Sequence, residues 1–195
     1  MKRIGLLGGT FNPIHIGHLA MAKMAREKLR LDQVIFVPSN TPPHKTIRDL
    51  TSAKDRYRMV CLAVKGYPHF KVSDFEVKRR GRSYSVDTIE FFRKALRPGT
   101  KLFFIIGEDA LANLHTWRQI GKIRKMVEFI VVNRPGYQSA KRRKGKYHFV
   151  SMPDIDVASS FLRNRIFDGK SIKYFVPESV YRYIRRHDLY KVKPT

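Results

Sequence analysis

At 195 residues, with 43% hydrophobic and 12% aromatic side chains, the chain has the length and apolar content to fold as one domain, which excludes a disordered polar chain. Forty Lys and Arg against sixteen Asp and Glu give a net charge of +24, which favours polyanionic ligands, whether a nucleotide, an RNA or an acidic membrane surface. Most of the basic residues are scattered, so a solvated basic surface is the plainer account and nucleic acid is disfavoured as a partner.

In chain order, the apolar run Ile4-Leu7 predicts a strand, Leu19 to Leu29 predicts a helix with apolar positions 19, 22, 25 and 29, and Val34-Val37 predicts a second strand. A strand, helix and strand in that order form a right-handed crossover and imply a parallel sheet. Further helices are expected over Lys54 to Val64 and Ser85 to Leu96, and strands over Leu102-Ile106 and Phe129-Val132. The last two runs are continuously apolar, as strands covered by helices on both faces should be. A shorter helix is expected to begin near Ser159 or Ser160, and a last one to span Glu178 to Arg186 after Pro177. The glycine and proline clusters at Pro38-Pro43, Arg97-Pro98-Gly99 and Arg134-Pro135-Gly136 are too short for interdomain linkers. The fold class is α/β: a Rossmann-like doubly wound parallel sheet in a single domain over 1–195, with a small helical C-terminal portion over about 157–195.

Cys61 is the single cysteine, which excludes an internal disulfide and a CxxC zinc ribbon; its neighbours Met59, Val60 and Leu62 predict a buried helix position. Gly8-Gly9, Asn12 and Pro13 cut the first apolar run short of a signal-peptide core, and no window reaches transmembrane length. A cytoplasmic protein with no membrane partner is expected, and its oligomeric state, a homo-oligomer included, stays open. The dense basic cluster Lys141-Arg142-Arg143-Lys144, with Lys146, follows Pro135-Gly136 and is expected in an exposed loop.

The stretch that carries chemistry is Gly8-Gly9-Thr10-Phe11-Asn12-Pro13-Ile14-His15-Ile16-Gly17-His18. Two glycines after a strand let the backbone turn and approach an anion, and the helix that follows presents unpaired N–H groups to it. His15 and His18 are three residues apart, hence on one face of a first helical turn, where both can bind a phosphate chain. A zinc site would need further ligands that are not nearby, and two satisfied surface histidines are the plainer alternative. In Val157-Ala158-Ser159-Ser160-Phe161-Leu162-Arg163, a serine can cap a helix and Arg163 can reach an anion one turn in; a plain capped helix with a solvated arginine is the alternative. Asp109, after a strand, suits a ribose contact or a helix N-cap. Lys45 suits a substrate phosphate or solvent, and Trp117 suits a flat ring or the core.

The segment Gly9 to His18 resembles the Gly-x-Phe-x-Pro-x-His-x-Gly-His motif of the nucleotidyltransferase superfamily, which includes the HxGH-bearing class I aminoacyl-tRNA synthetases. Pro42-Pro43-His44-Lys45, Ser83-Tyr84-Ser85-Val86-Asp87-Thr88, Ile106-Gly107-Glu108-Asp109 leading to Trp117, and Asn133-Arg134-Pro135-Gly136 narrow the resemblance to the bacterial nicotinate-nucleotide adenylyltransferases, over nearly the whole chain. The chain departs from the family's Ile-Ser-Ser-Thr-x-Ile-Arg-like motif in having Ala158 and Ser160, and from a common Thr in having Ser85. Pantetheine-phosphate adenylyltransferases share the opening motif, but the Pro42–Lys45 and Ser83–Thr88 segments argue against them.

The resemblance implies that ATP and nicotinate mononucleotide give nicotinate adenine dinucleotide and pyrophosphate, with Mg²⁺ held mainly by ATP phosphates and no protein metal ligand. It implies that His15, His18 and Arg163 are catalytic, and that Gly8, Gly9, Thr10, Phe11, Gly107, Asp109, Arg134, Ser159 and Ser160 join them in binding ATP. His44, Lys45, Ser85 and Trp117 are implied to bind the mononucleotide. The same reaction with nicotinamide mononucleotide, and a basic nucleic-acid-binding module, are the alternatives. The segments 38–50 and 107–118 are expected as loops that order around substrate.

Overall fold

The structure is a computed structural model, and it describes residues 1–42, 50–79, 81–133 and 146–191. A six-stranded sheet is built from β1 (Arg3–Gly9), β2 (Gln33–Pro38), β3 (Phe70–Val72), β4 (Lys101–Gly107), β5 (Glu128–Asn133) and β6 (Tyr147–Ser151) in the order β3-β2-β1-β4-β5-β6. Every pairing is parallel. This is the Rossmann strand order, in which the direction of winding reverses between β1 and β4.

The period-two alternation of the strands divides the core into two faces. Leu7, Val34, Phe36, Phe103, Ile105, Ile130 and Val132 face one side, where α1 (Ile16–Leu29), α2 (Ala53–Val64), α7 (Ser159–Phe167) and α8 (Glu178–Arg186) contribute Ala22, Ala25, Met59, Val60, Leu162, Val180 and Ile184. Ile4, Leu6, Ile35, Val37, Leu102, Phe104, Ile106, Phe129 and Val131 face the other, under α4 (Ser85–Ala95), α5 (Glu108–Ala112) and α6 (Ile120–Met126). The C-terminal helices therefore share a core with the first helix.

The expected strands and long helices are present, with α1 starting three residues earlier than its apolar periodicity suggested. The sequence reading did not foresee β3, β6, the one-turn helix α3 (Phe75–Lys78), α5 or α6. β3 has only three residues and β6 sits at the sheet edge with just Val150 fully buried, so neither shows a long apolar run. The segment 107–118, expected as a loop, is α5 followed by a 3₁₀ turn over Leu114–Thr116. Cys61 lies in α2 as expected but is only half-buried, because Met59, Val60 and Ala63 take the inner face. The Lys141–Lys144 cluster lies outside the described residues.

Arg56 is the largest fully buried side chain, 1% exposed. Its Nε donates to Thr51 O at 2.9 Å, one terminal nitrogen donates to Thr10 O at 2.8 Å and Ser39 O at 2.6 Å, and the other donates to Asn40 O at 2.6 Å. Burial lowers its pKa, yet a guanidinium stays charged. One planar fork thus ties the ends of β1 and β2 to the start of α2. Arg56→Ala would leave one buried and three partly buried carbonyls without that donor, a buried one costing about 1–3 kcal/mol; urea unfolding should show a loss of about 3 kcal/mol. Arg56→Lys should restore little, because an ammonium cannot span carbonyls on opposite sides of the fork.

A second buried polar pair fixes the start of α4, where Thr88 Oγ1 donates to Glu76 Oε1 of α3. Burial pushes the Glu76 carboxyl above its ordinary value, opposed by hydrogen bonds from Thr88 and Ser83. The unfolded chain ionises this group first, so stability falls as pH rises from the ordinary Glu range through the folded-state value. Glu76→Gln keeps an acceptor for Thr88 and carries no charge. Its Tm relative to the parent should therefore rise as pH increases above the ordinary Glu range and level off past the folded-state value, and a pH-independent difference would show that burial does not raise the Glu76 pKa.

Candidate active site

The switch between β1 and β4 opens a crevice at the C-terminal edge of the sheet, where open α/β folds bind ligands. It has two chambers. One, of about 460 Å³, is lined by Gly8, Gly9 and Thr10 at the end of β1, by Ser83, Tyr84 and Ser85 at the start of α4, and by Thr116, Trp117 and Arg118. The other, of about 720 Å³, is lined by His15, Gly17, Val157 to Ser160 and Arg163. His18, Met21, Gly107 and Asp109 line both.

Gly8 and Gly9 are not the turn that the sequence reading expected, because both are extended residues of β1. The chain reverses at Phe11, whose φ is +50°, followed by the cis Asn12–Pro13 peptide. Gly9 is needed for close approach: a Cβ there would lie 2.9 Å from Cζ of the buried Phe11 ring. Phe11 itself lines neither chamber, contrary to the expected nucleotide contact; its ring edge packs on the His18 ring at 5.0 Å between centroids.

His15 is the extended N-cap of α1 and His18 its third residue, with ring centroids 3.7 Å apart. The His15 N–H donates to His18 Nδ1 at 3.3 Å. That bond puts the proton of neutral His18 on Nε2, and His18 itself lines both chambers.

The serines do not cap α7, whose N-cap is Ala158. Ser159 Oγ instead donates to Pro13 O at 3.0 Å, and Arg163 donates to Asn12 O at 3.0 Å, so the C-terminal motif docks on the first loop. Ser159, Ser160 and Arg163 all line the second chamber. The same loop is held by the Tyr190 hydroxyl, which donates to Asn12 Oδ1 at 3.0 Å, and by Thr51 N–H, which donates to the same atom at 3.3 Å. Burial raises the Tyr190 pKa, so the phenol remains a donor.

Asp109 is the second residue of α5 after Gly107, so it is not the N-cap. A Cβ at Gly107 would lie 2.5 Å from Asp109 Oδ1, so a side chain there would push that carboxylate aside. Trp117 is half-buried, edge-on to Phe104 with ring centroids 5.7 Å apart at 86°, and lines the first chamber with Ser85. Sequence reasoning had left stacking and core packing as alternatives for this residue, and it does pack on the core while reaching the cavity. His44, Lys45 and Arg134 lie outside the described residues.

Sequence reasoning missed Arg56, Glu76, Arg118 and Tyr190. Arg56 had a legible signal: it shares the i, i+3, i+4, i+7 stripe with Met59, Val60 and Ala63, a face on which a lone cation must be hydrogen-bonded. Tyr190 had none, because its partner is 178 residues away.

A cytidylyltransferase-like family model matches residues 6–169. A protein of Thermoanaerobacter sp. (strain X514), named probable nicotinate-nucleotide adenylyltransferase, is 42% identical over 97% of this chain and 94% of its own length. A relative of the same name from Shouchella clausii (strain KSM-K16) is 43% identical over 97% of each chain. A Plasmodium falciparum nicotinic acid mononucleotide adenylyltransferase solved in complex with NaAD superposes with a TM-score of 0.82 over 99% of both chains. At 18% identity it shows the common fold alone. With its motifs lining one crevice and its relatives matched over nearly their full length, this chain belongs to the cytidylyltransferase-like family and, within it, to the nicotinate-nucleotide adenylyltransferases.

Proposed function

We propose that this protein is an enzyme that joins ATP to nicotinate mononucleotide, giving nicotinate adenine dinucleotide and pyrophosphate. The observation that carries this reading is the two-chambered crevice with His18, Gly107 and Asp109 on its shared wall, the arrangement that uniting two nucleotides requires. The relatives' names supply the substrate pair.

In this reading, ATP takes the second chamber with its phosphates among His15, His18, Arg163, Ser159 and Ser160, and Asp109 meets its ribose or base beside Gly107. The mononucleotide takes the first chamber, its pyridine ring on Trp117 and its substituent near Ser85. Gly8, Gly9 and Thr10 pass beneath the phosphates where the two meet. His44, Lys45 and Arg134 keep the roles that the resemblance implies for them. A mononucleotide phosphate is largely dianionic near neutral pH and needs no base. One of its oxygens bonds to the α-phosphorus of ATP in line as the α–β bridging bond breaks, and pyrophosphate carries away the electron pair. Catalysis is then positioning and charge stabilisation, with His18 Nε2–H the fixed donor for charge that develops on the α-phosphoryl oxygens.

The donors gathered here are histidine, arginine, serine and backbone N–H, which suit phosphate rather than a bare cation. Among the described residues no group of three or more His, Cys, Asp or Glu side chains forms a metal cage. Mg²⁺ would arrive with ATP, ligated by phosphate oxygens and water, and would neutralise the departing pyrophosphate. No helix among the described residues is long and apolar enough to cross a membrane. A cytoplasmic setting goes with the ATP substrate and with a single cysteine that has no internal disulfide partner, and we take the chain to work as one domain.

Pyrophosphate release from ATP and nicotinate mononucleotide tests the assignment. His18→Ala should lower kcat by about a hundredfold or more, as loss of one transition-state donor does, with the thermal unfolding curve nearly unchanged. Full activity in that variant would rule out the phosphate-site assignment. Trp117→Ala should act mainly through the KM for the mononucleotide, raising it about tenfold while the KM for ATP stays within about threefold.

A further inference from the structure

The first chamber must tell a pyridine carboxylate from the corresponding amide, two groups of nearly one shape that differ by a full negative charge. A hydroxyl such as that of Ser85 can donate to the acid and can donate to or accept from the amide, so it distinguishes them weakly. Charge is the larger difference, and the ionisable groups of the chamber can be weighed directly. Glu76 and Asp109 are acids, and a carboxylate substrate gains nothing from either. His18 stands at the far wall, shared with the second chamber.

Arg118 is the sole lysine or arginine among the described residues that line this chamber. Its guanidinium carbon lies 4.7 Å from the centre of the Tyr84 ring, and Tyr84 immediately precedes Ser85 at the start of α4. It follows Trp117 in sequence, so the flat surface and the charge are delivered by consecutive residues. Arg118 forms no hydrogen bond or ion pair with any described residue. By contrast Arg79 is paired with Asp87 and Arg182 with Glu178. Stacking on an aromatic face positions a guanidinium without consuming its five donors.

We infer that Arg118 determines the choice of pyridine mononucleotide: its guanidinium, seated on Tyr84 beside Ser85 and Trp117, receives the ring carboxylate and gives the acid its advantage over the amide. This rests on the proposed adenylyl transfer and specifies the selectivity of that same site. The arrangement uses a charge-assisted, two-pronged contact that an amide cannot match.

The test is steady-state kinetics of the parent, Arg118→Gln and Arg118→Lys with ATP and either nicotinate or nicotinamide mononucleotide. Thermal melting should show all three equally folded, since the side chain is exposed. The expected result is that Arg118→Gln lowers the ratio of kcat/KM for acid over amide by about ten- to a hundredfold, through KM for the acid. Arg118→Lys should recover part of that ratio because the charge returns without the fork. An unchanged ratio in Arg118→Gln, or an equal loss for both substrates, overturns the inference while leaving adenylyl transfer in place. Parent enzyme that turns over neither mononucleotide overturns the proposed function, and the inference with it.

Discussion

The residues Thr10 to Pro13 lead from β1 towards the two histidines at the start of α1, and they have no regular secondary structure to hold them. Their polar groups are taken up from elsewhere in the chain. Arg56 of α2 donates to Thr10 O, Arg163 of α7 to Asn12 O, Ser159 to Pro13 O, and Tyr190 beyond α8 to Asn12 Oδ1. These partners lie between 46 and 178 residues from the loop in sequence. Because a buried carbonyl without a donor is costly, the loop can adopt its left-handed turn at Phe11 only when all of these elements are docked. The position of His18 thus depends on the whole fold, and most directly on the C-terminal helices.

That dependence explains why Ser159 does not behave as a helix cap. A cap would satisfy one N–H of α7, but the same hydroxyl bonded to Pro13 O fastens α7 to the loop, and Ala158 begins the helix with backbone alone. Arg163 follows the same logic one turn later, joining the loop to the wall of the second chamber. The two motifs that line the second chamber form one hydrogen-bonded unit. Donors held in this way need little reorganisation when charge develops beside them.

The His15–His18 contact adds a further constraint. A backbone N–H bonded to His18 Nδ1 fixes which ring nitrogen carries the proton, and the Phe11 ring edge fixes the tilt of the imidazole. Close packing at Gly9 lets Phe11 reach that position, so the glycine acts through a ring and not through backbone freedom. The first chamber is organised differently, by aromatic and hydroxyl groups on α4 and at the entry to α6, with Glu76 and Thr88 bracing the turn that presents Ser85.

The sequence by itself determined the fold class, the strands of the sheet centre, the long helices and the family, because these are written in local periodicity and in short contiguous motifs such as Gly9 to His18. It also brought forward His15, His18, Asp109, Trp117 and Arg163, all of which line the crevice. It did not determine the turn at Phe11, the docking of Ser159 on Pro13, the buried role of Arg56 or the place of Tyr190. The short edge strands β3 and β6 were illegible for a related reason, since they depend on a neighbouring strand and carry little apolar pattern of their own. Only the tertiary structure decided these features, because each satisfies a backbone or side-chain polar group whose partner is distant in sequence. No local preference can reveal a hydrogen bond whose two ends meet only after the sheet has formed.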